Sequence, residues 1–310
     1  PAPIGKAVGR PVRQVNAARR YIDFLQGTAP CRLDGLKIVL DCAHGAASQV
    51  APQVFSELGA EVSAFYHEPD GTNINENCGS TDPTRLCELV SELGADAGLA
   101  FDGDADRLIA VDDRGQLVDG DRIMAICAVH LKREGKLVKN TLVATVMSNM
   151  GLEIAMKENG ISLVRTKVGD RYVLEKMLSD GYTLGGEQSG HVIFLDHNTT
   201  GDGIITAVQL MGLMAKEKQS LSRLSKVMRP LPQATVNARV PEGKKAAFEK
   251  DEAIAAKRQE LEQKYKDRGR TLIRLSGTEP LARIMVEGPD QREIERDAYE
   301  LAQYIEEKLR

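Results

Sequence analysis

The 310-residue chain contains no tryptophan, and aromatic residues make up only 4% of it. Its five cysteines form no CxxC pair, which excludes the usual zinc and redox motifs and favours reduced, structural thiols. The first residues lack an apolar signal core, and no apolar run reaches the roughly 20 residues that a membrane-spanning helix needs. These absences predict a cytoplasmic protein that does not bind a membrane.

A surplus of basic residues is also missing. The chain has 41 Lys and Arg residues against 45 Asp and Glu residues, a net charge of -4. Because a protein that binds the nucleic-acid backbone normally carries a positive surplus, the charge argues against general nucleic-acid binding. The 42% of hydrophobic residues fits a folded chain, long enough for two or three domains of roughly 100–200 residues each.

What the sequence does contain is a repeated alternation of short apolar segments and amphipathic segments. It runs from about residue 36 to 120 and again from about 118 to 230, which predicts two α/β units. After the prolines of "MRPLPQATV" the pattern changes to a strand, a charged helix within 242–268, two strands and a final helix from Gln291. We therefore expect an α/β protein with two tandem α/β domains and a smaller α+β C-terminal domain, divided as 1–117, 118–230 and 231–310.

The segment "AFDGDADRL" places Asp102, Asp104 and Asp106 on alternate positions beside Arg107. They follow the predicted strand "DAGLAFD", and ligands bind at the carboxyl ends of strands in open α/β sheets. Three crowded carboxylates repel each other unless a cation lies between them. Mg²⁺ suits this spacing because it takes carboxylate oxygens and often completes its shell with a phosphate oxygen.

An EF-hand, a phosphatase loop and a solvated acidic turn are the alternatives to a magnesium loop in this segment. The EF-hand fails, because it needs Gly and Glu where Arg107 and Asp113 stand. A phosphatase of the haloacid dehalogenase type would use Asp102 as its nucleophile, although Asp106 stands where Thr or Val is expected. A solvated turn is compatible with the spacing, since exposed carboxylates two residues apart tolerate each other in water. The last two stay open from the residues alone.

The glycine-rich segment "GGEQSGH" offers Glu187, Ser189 and His191. A carboxylate, a hydroxyl and an imidazole on a loop of small residues suit sugar hydroxyls, but a tight hairpin with a polar tip accounts for the segment equally well. A second loop, "KVGDRY", contains Lys167 and is alternatively a plain helix start with Asp170 as its N-cap.

The segment "RLSGTEPLAR" places Ser276, Gly277 and Thr278 between Arg274 and Arg283. Backbone N–H groups, two hydroxyls and guanidinium groups together can hold a phosphate dianion. An ordinary loop with a surface arginine is the alternative, because no GxxxxGK motif frames the segment.

Together and in this order, these four segments resemble the α-D-phosphohexomutase superfamily. Further segments are similar to its bacterial phosphoglucosamine mutase subgroup, as is Gln188: "GTNIN", "MSNMGLE", "KVGDRYVLEKM" and "TTGDGI". The resemblance implies a phosphosugar isomerase that interconverts glucosamine 6-phosphate and glucosamine 1-phosphate through a bisphosphorylated sugar, with Mg²⁺ as cofactor. A phosphoglucomutase or phosphomannomutase of the same superfamily is the alternative.

The resemblance also implies a role for each candidate residue. Asp102, Asp104 and Asp106 would hold Mg²⁺. Arg107 would lie beside the transferred group, His191 would accept a proton, and Lys167 and Arg171 would be supporting cations. The sugar hydroxyls would bind Glu187 and Ser189. The phosphate that does not react would bind a further group of residues: Arg274, Ser276, Gly277, Thr278 and Arg283.

Two further expectations follow from the resemblance. The superfamily has a first domain with a phosphorylated serine in a "TASHNP"-like loop, and these 310 residues contain no such stretch. They correspond to domains two to four, so this chain alone is expected to lack the nucleophile and to be inactive. The superfamily also suggests a homodimer.

Overall fold

A computed structural model describes residues 8–9, 14–266, 268–276 and 279–310. The β-strands of these residues are β1 (Lys37–Asp41), β2 (Glu61–Phe65), β3 (Ala97–Phe101), β4 (Leu108–Asp112), β5 (Leu117–Val118), β6 (Thr141–Thr145), β7 (Ser162–Thr166), β8 (Leu184–Gly186), β9 (Val192–Phe194), β10 (Gln233–Arg239), β11 (Arg270–Leu275) and β12 (Leu281–Glu287). The α-helices are α1 (Ala17–Thr28), α2 (Ala47–Glu57), α3 (Thr84–Leu93), α4 (Gly120–Arg133), α5 (Met150–Glu158), α6 (Asp170–Asp180), α7 (Gly203–Glu217), α8 (Leu221–Leu224), α9 (Lys245–Lys250), α10 (Glu252–Tyr265) and α11 (Gln291–Lys308).

These elements form two compact units. The first consists of the described residues up to Met147 together with Gly160–Val227, and the second of Ser148–Asn159 and Met228–Arg310. The first unit contains two mixed sheets with helices, and the second contains a small antiparallel sheet with helices. The predicted fold class is confirmed: two tandem α/β domains are followed by a smaller α+β domain.

The first sheet of the first unit has the strand order β2-β1-β3-β4-β5. Strand β1 is parallel to β2 and β3, whereas β3 and β4 are antiparallel neighbours. Every residue of β3 and β4 is buried, which explains why both read as continuous apolar segments. The sequence predicts β3 but not β4, and the aspartate segment turns the chain back along β3.

The second sheet has the order β7-β6-β8-β9, with β6 parallel to β7 and β8. Strands β8 and β9 are antiparallel, so the "EQSGH" residues form a hairpin loop. Helix α7 begins after Asp202, because the Asp202 carboxylate accepts hydrogen bonds from the N–H groups of Ile204 and Ile205.

The second unit is built on the antiparallel sheet β10-β12-β11. Apolar residues of this sheet and its helices form one core, which includes Phe248, Tyr265 and Ile294. The predicted single helix within 242–268 is two helices, since Asp251 ends α9 and its carboxylate caps α10. Helix α11 begins at Gln291, as predicted.

The structure also shows the state of the cysteines and the character of the helices. All five cysteines are free thiols. In the part of the chain that the structure describes, no helix combines the length and the apolar character needed to cross a membrane.

Candidate functional site

The aspartate loop, Asp102 to Arg107, connects β3 to β4 at the carboxyl end of β3. Its tight turn places Ala105 at a φ of +62°, a left-handed conformation that a non-glycine residue rarely adopts. The loop also meets the chain that follows β1, because the Ala46 N–H donates a hydrogen bond to the Gly103 carbonyl at 2.9 Å. The carboxyl ends of two parallel strands therefore meet at this loop, as expected for a ligand site.

The segment after β1 is held by a buried carboxylate at the end of that strand. Asp41 is 1% exposed and accepts hydrogen bonds from the N–H groups of Ala43 at 3.0 Å and Gly79 at 2.8 Å. Burial raises the pKa of Asp41. Ala43 and His44 both have positive φ values, so backbone strain is concentrated beside the aspartate loop.

The three predicted carboxylates come together. One oxygen of each of Asp102, Asp104 and Asp106 lies within 4.8 Å of the others. Asp102 is buried and accepts a hydrogen bond from the Arg107 N–H at 3.1 Å, whereas Asp104 is exposed. Burial, together with the charges of Asp106 and Asp104, raises the pKa of Asp102 to about 6. The Arg107 Nε lies 3.7 Å from both Asp102 Oδ2 and Asp106 Oδ1, so this cation lies close to two of the three carboxylates.

The donor set fits a hard divalent cation. Asp106 Oδ1 is buried and has no hydrogen-bond partner among the described residues. Buried polar atoms are normally paired, so an orphaned carboxylate oxygen in a cluster of carboxylates is the pattern that a metal ion completes. A solvated acidic turn does not account for this oxygen or for the burial of Asp102.

His191 contacts the same cluster from the second sheet. Its Nδ1 lies 3.0 Å from Asp106 Oδ2, and its Nε2 accepts a hydrogen bond from the Gly201 N–H at 3.0 Å. The residue is 4% exposed. Both ring nitrogens thus have partners within the protein, and the role of proton acceptor stays a prediction from the resemblance.

The hairpin loop between β8 and β9 lies against the aspartate loop. The Leu108 N–H donates a hydrogen bond to the Gly190 carbonyl at 3.1 Å. Within the hairpin, Glu187 Oε1 accepts a hydrogen bond from the Gly169 N–H at 3.0 Å, and Ser189 is exposed at the tip. The structure thus brings the hairpin loop that contains the predicted sugar-binding residues into contact with the end of the aspartate loop.

The predicted supporting cations have other contacts. Arg171 is exposed, and its Nε donates to Glu175 at 2.7 Å. The Lys167 ammonium lies 5.9 Å from the ring centroid of Tyr172. The alternative for this loop needs a correction: the N-cap of α6 is Gly169, and Asp170 is already helical.

The loop before α7 also contributes to the site, although the sequence interpretation gave its segment, "TTGDGI", no role in the site. The Gly203 N–H donates to the Ala105 carbonyl at 2.9 Å, so this loop holds the aspartate loop directly. Asp202 Oδ2 accepts a hydrogen bond from the Tyr21 hydroxyl at 2.6 Å. The signal available in the sequence was the pair of glycines on either side of a helix-capping aspartate.

The second unit contains the predicted phosphate loop. Arg274 of β11 stands directly opposite Arg283 of β12, and like charges in such positions destabilise a sheet unless an anion neutralises them. Arg283 donates to Glu279 at 2.7 Å, and Lys245 donates to the Ser276 carbonyl at 2.8 Å. Two predicted members of this loop lie outside the described residues: Gly277 and Thr278.

Comparison with protein families gives three adjacent matches. Residues 19–115 match the model "Phosphoglucomutase/phosphomannomutase, alpha/beta/alpha domain II", residues 119–231 match domain III, and residues 236–303 match the C-terminal domain. Two curated relatives are named phosphoglucosamine mutase. The one from Thermoanaerobacter sp. (strain X514) is 57% identical over 309 residues, which are 100% of this chain and 69% of the relative. The one from Acetivibrio thermocellus is 53% identical over 99% of this chain and 68% of the relative.

Solved structures share the fold at lower sequence identity. A phosphoglucomutase/phosphomannomutase family protein from Burkholderia thailandensis has a TM-score of 0.76 and 24% identity, over 94% of this chain and 65% of that one. Aspergillus fumigatus N-acetylphosphoglucosamine mutase, solved in complex with GlcNAc-6P and magnesium, has a TM-score of 0.75 and 20% identity, over 94% of this chain and 66% of that one. The chain thus spans about two thirds of the length of each of these proteins.

Proposed function

The chain belongs to the phosphoglucomutase/phosphomannomutase family, and we propose on this premise that it acts as a phosphoglucosamine mutase. Such an enzyme is an isomerase that interconverts glucosamine 6-phosphate and glucosamine 1-phosphate through a bisphosphorylated sugar. The names of curated relatives that are more than half identical to this chain support the amino sugar over glucose or mannose. The family assignment disfavours the phosphatase alternative, in which Asp102 is the nucleophile.

One observation carries the proposal: the three carboxylates of the aspartate loop converge, and a buried oxygen of Asp106 has no hydrogen-bond partner among the described residues. We propose that Asp102, Asp104 and Asp106 hold Mg²⁺. A bound Mg²⁺ supplies charge neutralisation for a phosphoryl group during its transfer. The guanidinium of Arg107, at the end of the same loop, adds a second positive charge there.

The other residues of the proposal bind and orient the substrate. Glu187 and Ser189 hold sugar hydroxyls, and Glu187 has its orientation fixed by the Gly169 N–H. In the second unit, the phosphate that does not react binds Arg274, Ser276 and Arg283, with Gly277 and Thr278. Positioning and charge neutralisation account for most of the catalysis of phosphoryl transfer, so these roles are sufficient for the reaction once a phosphoryl donor is present.

The phosphoryl donor is part of the proposal too. By resemblance to the superfamily it is a phosphoserine of domain I, so we expect the 310 residues alone to bind phosphosugars without converting them. Lys167 and Arg171 remain predicted supporting cations. The boundaries 1–117, 118–230 and 231–310, the cytoplasmic location, a homodimer and the absence of nucleic-acid and membrane partners also remain predictions.

Conversion of glucosamine 6-phosphate to glucosamine 1-phosphate, followed by ³¹P NMR, tests the proposal. The 310-residue chain is compared with the same chain fused behind domain I of the Thermoanaerobacter relative. We expect conversion by the fusion alone, and its loss in Asp102→Asn. Asp34→Asn is the matched control, because Asp34 is an exposed carboxylate paired with Arg32. Release of inorganic phosphate by the unfused chain, abolished in Asp102→Asn, would support the phosphatase alternative and contradict the proposal.

A further inference from the structure

The two carboxylate oxygens of Asp106 have different surroundings. Oδ2 lies 3.0 Å from the Nδ1 of His191, within hydrogen-bond distance. Oδ1 is buried and has no hydrogen-bond partner in the described part of the chain. The contact with His191 therefore occupies Oδ2, whereas Oδ1, which lies 3.7 Å from the Arg107 Nε, makes no described hydrogen bond and stays available to a metal ion.

The direction of the hydrogen bond between His191 and Asp106 follows from the second ring nitrogen. The Gly201 N–H donates to His191 Nε2 at 3.0 Å. A backbone N–H is only a donor, so Nε2 must be the unprotonated nitrogen of the ring and Nδ1 must carry the proton. Nδ1 then donates to Asp106 Oδ2, which is an acceptor as a carboxylate.

The imidazole ring has little room to move. His191 is 4% exposed, and a Cβ atom added at Gly201 would lie 2.4–2.5 Å from three of its ring atoms. Gly201 itself is held in place, because the next residue, Asp202, caps α7 and accepts the hydroxyl hydrogen bond of Tyr21. The ring is thus fixed between the backbone of this loop and the carboxylate of Asp106.

We propose that His191 is a positioning residue for Asp106, and that the Gly201 N–H fixes the ring tautomer that this role requires. The inference rests on the proposed metal site and concerns the Nδ1 side of the ring, and the role of proton acceptor expected from the resemblance stays a separate prediction. Outer contacts that orient a metal ligand typically contribute about 10–100-fold to metal affinity.

Three substitutions separate this role from a merely structural one. In His191→Asn the side-chain amide nitrogen stands near the position of Nδ1 and can still donate to Asp106. In His191→Gln the longer side chain carries its nitrogen toward the position of Nε2, so the bond to Asp106 is lost. Gly201→Ala keeps the imidazole but displaces the ring. His197→Asn is the matched control, because His197 has no contact with the aspartate loop among the described contacts.

The test measures the Mg²⁺ dissociation constant of the 310-residue chain by calorimetry, with thermal melting to verify that each variant is folded. We expect affinity to fall about 10–100-fold in His191→Gln and Gly201→Ala, and to stay close to that of the unchanged protein in His191→Asn and His197→Asn. ¹⁵N NMR of the unchanged protein should show the His191 proton on Nδ1.

The outcomes distinguish the inference from the function on which it rests. If the unchanged chain binds no Mg²⁺, the proposed metal site is wrong and the inference falls with it. If it binds Mg²⁺ and the folded Gln and Ala variants bind equally well, the inference alone is wrong. A loss in His191→Asn as large as in His191→Gln, or a proton on Nε2, also overturns it.

Discussion

The Glu187 carboxylate accepts a hydrogen bond from the backbone N–H of Gly169 at 3.0 Å. This bond joins the hairpin loop between β8 and β9 to the loop before α6. Gly169 has a φ of +126°, a conformation that residues with a side chain rarely adopt. The orientation of Glu187, which is predicted to bind a sugar hydroxyl, therefore depends on a glycine 18 positions earlier in the chain.

Gly169→Ala is expected to weaken the binding of glucosamine 1-phosphate about tenfold, because the backbone cannot keep this φ and the N–H moves away from Glu187. A hydrogen bond to a charged group contributes about 1.5–3 kcal/mol, which is consistent with that loss. Calorimetry measures it, with Glu187→Ala for comparison and Glu175→Ala as control, since Glu175 pairs only with Arg171 in its described ion pairs. Equal affinity in Gly169→Ala and the unchanged chain would refute the coupling.

The metal-free stability of the first unit is expected to depend on Asp102. Its pKa is raised by burial from 3.8 in an unfolded chain to about 6 in the folded protein. Between these values the folded state binds the additional proton, so the free energy of unfolding falls as the pH rises from about 4 to 6. Above about pH 6 the Asp102 carboxylate is charged in the folded protein, so the free energy of unfolding stays lowered by the full cost of burying this charge.

Asp102→Asn removes this cost and still offers an oxygen to the Arg107 N–H. In the presence of a chelator at pH 7, its free energy of unfolding should exceed that of the unchanged protein by about 1–3 kcal/mol, since one pKa unit is worth about 1.4 kcal/mol. The difference should shrink toward pH 4. Urea unfolding at several pH values measures it, and Asp104→Asn, at an exposed position, should change stability less. A destabilised Asp102→Asn at pH 7 would contradict the assignment of a costly buried charge.

The facing guanidinium groups of Arg274 and Arg283 lead to a third prediction. Arg274→Ala should weaken the binding of inorganic phosphate about tenfold or more, because a charge-assisted hydrogen bond is lost. Arg296→Ala is the control, since Arg296 lies on α11 and pairs with Asp297 and Glu300. Equilibrium dialysis with labelled phosphate makes the measurement. Phosphate affinity that falls equally in both variants would indicate only a general charge effect.

A fourth prediction concerns the packing of the second unit. Glu287 is fully buried, and its carboxylate accepts hydrogen bonds from Arg270 Nε at 2.7 Å and the Met150 N–H at 2.8 Å. Arg270→Ala leaves a buried carboxylate without its cation and should cost about 3–5 kcal/mol in urea unfolding. Arg268→Ala should cost less than about 1 kcal/mol, because the pair of Arg268 with Glu293 is at the surface. A similar loss in both variants would show that burial does not decide the energetics of these pairs.

The sequence was most informative where one local signal acts alone. The carboxylates after a buried strand predicted the position of the aspartate loop, and the change of pattern after the prolines led to the predicted helix from Gln291. Strand β4 was missed although "LIAVD" is an apolar segment that the turn residues Asp113 and Gly115 follow. The break at Asp251 was missed because the charged pattern continues across it.

The contacts that define the site could not be predicted from the sequence. His191 and Asp106 are 85 residues apart, and their side chains meet where the hairpin loop between β8 and β9 contacts Leu108, directly after the aspartate loop. The residue type of His191 is visible in the sequence, but its burial and its contact with Gly201 are not. Residue types predicted the chemistry of the site, while the tertiary structure decides which atoms remain free.

Calorimetric binding of glucosamine 1-phosphate, glucose 1-phosphate and mannose 1-phosphate to the chain with Mg²⁺ tests the central claim most directly. The account predicts the tightest binding for glucosamine 1-phosphate, with loss of that binding in Glu187→Ala and in Arg274→Ala. Equal affinity for all three sugars would contradict the assignment to the amino sugar, and undiminished binding in both variants would contradict the proposed site itself.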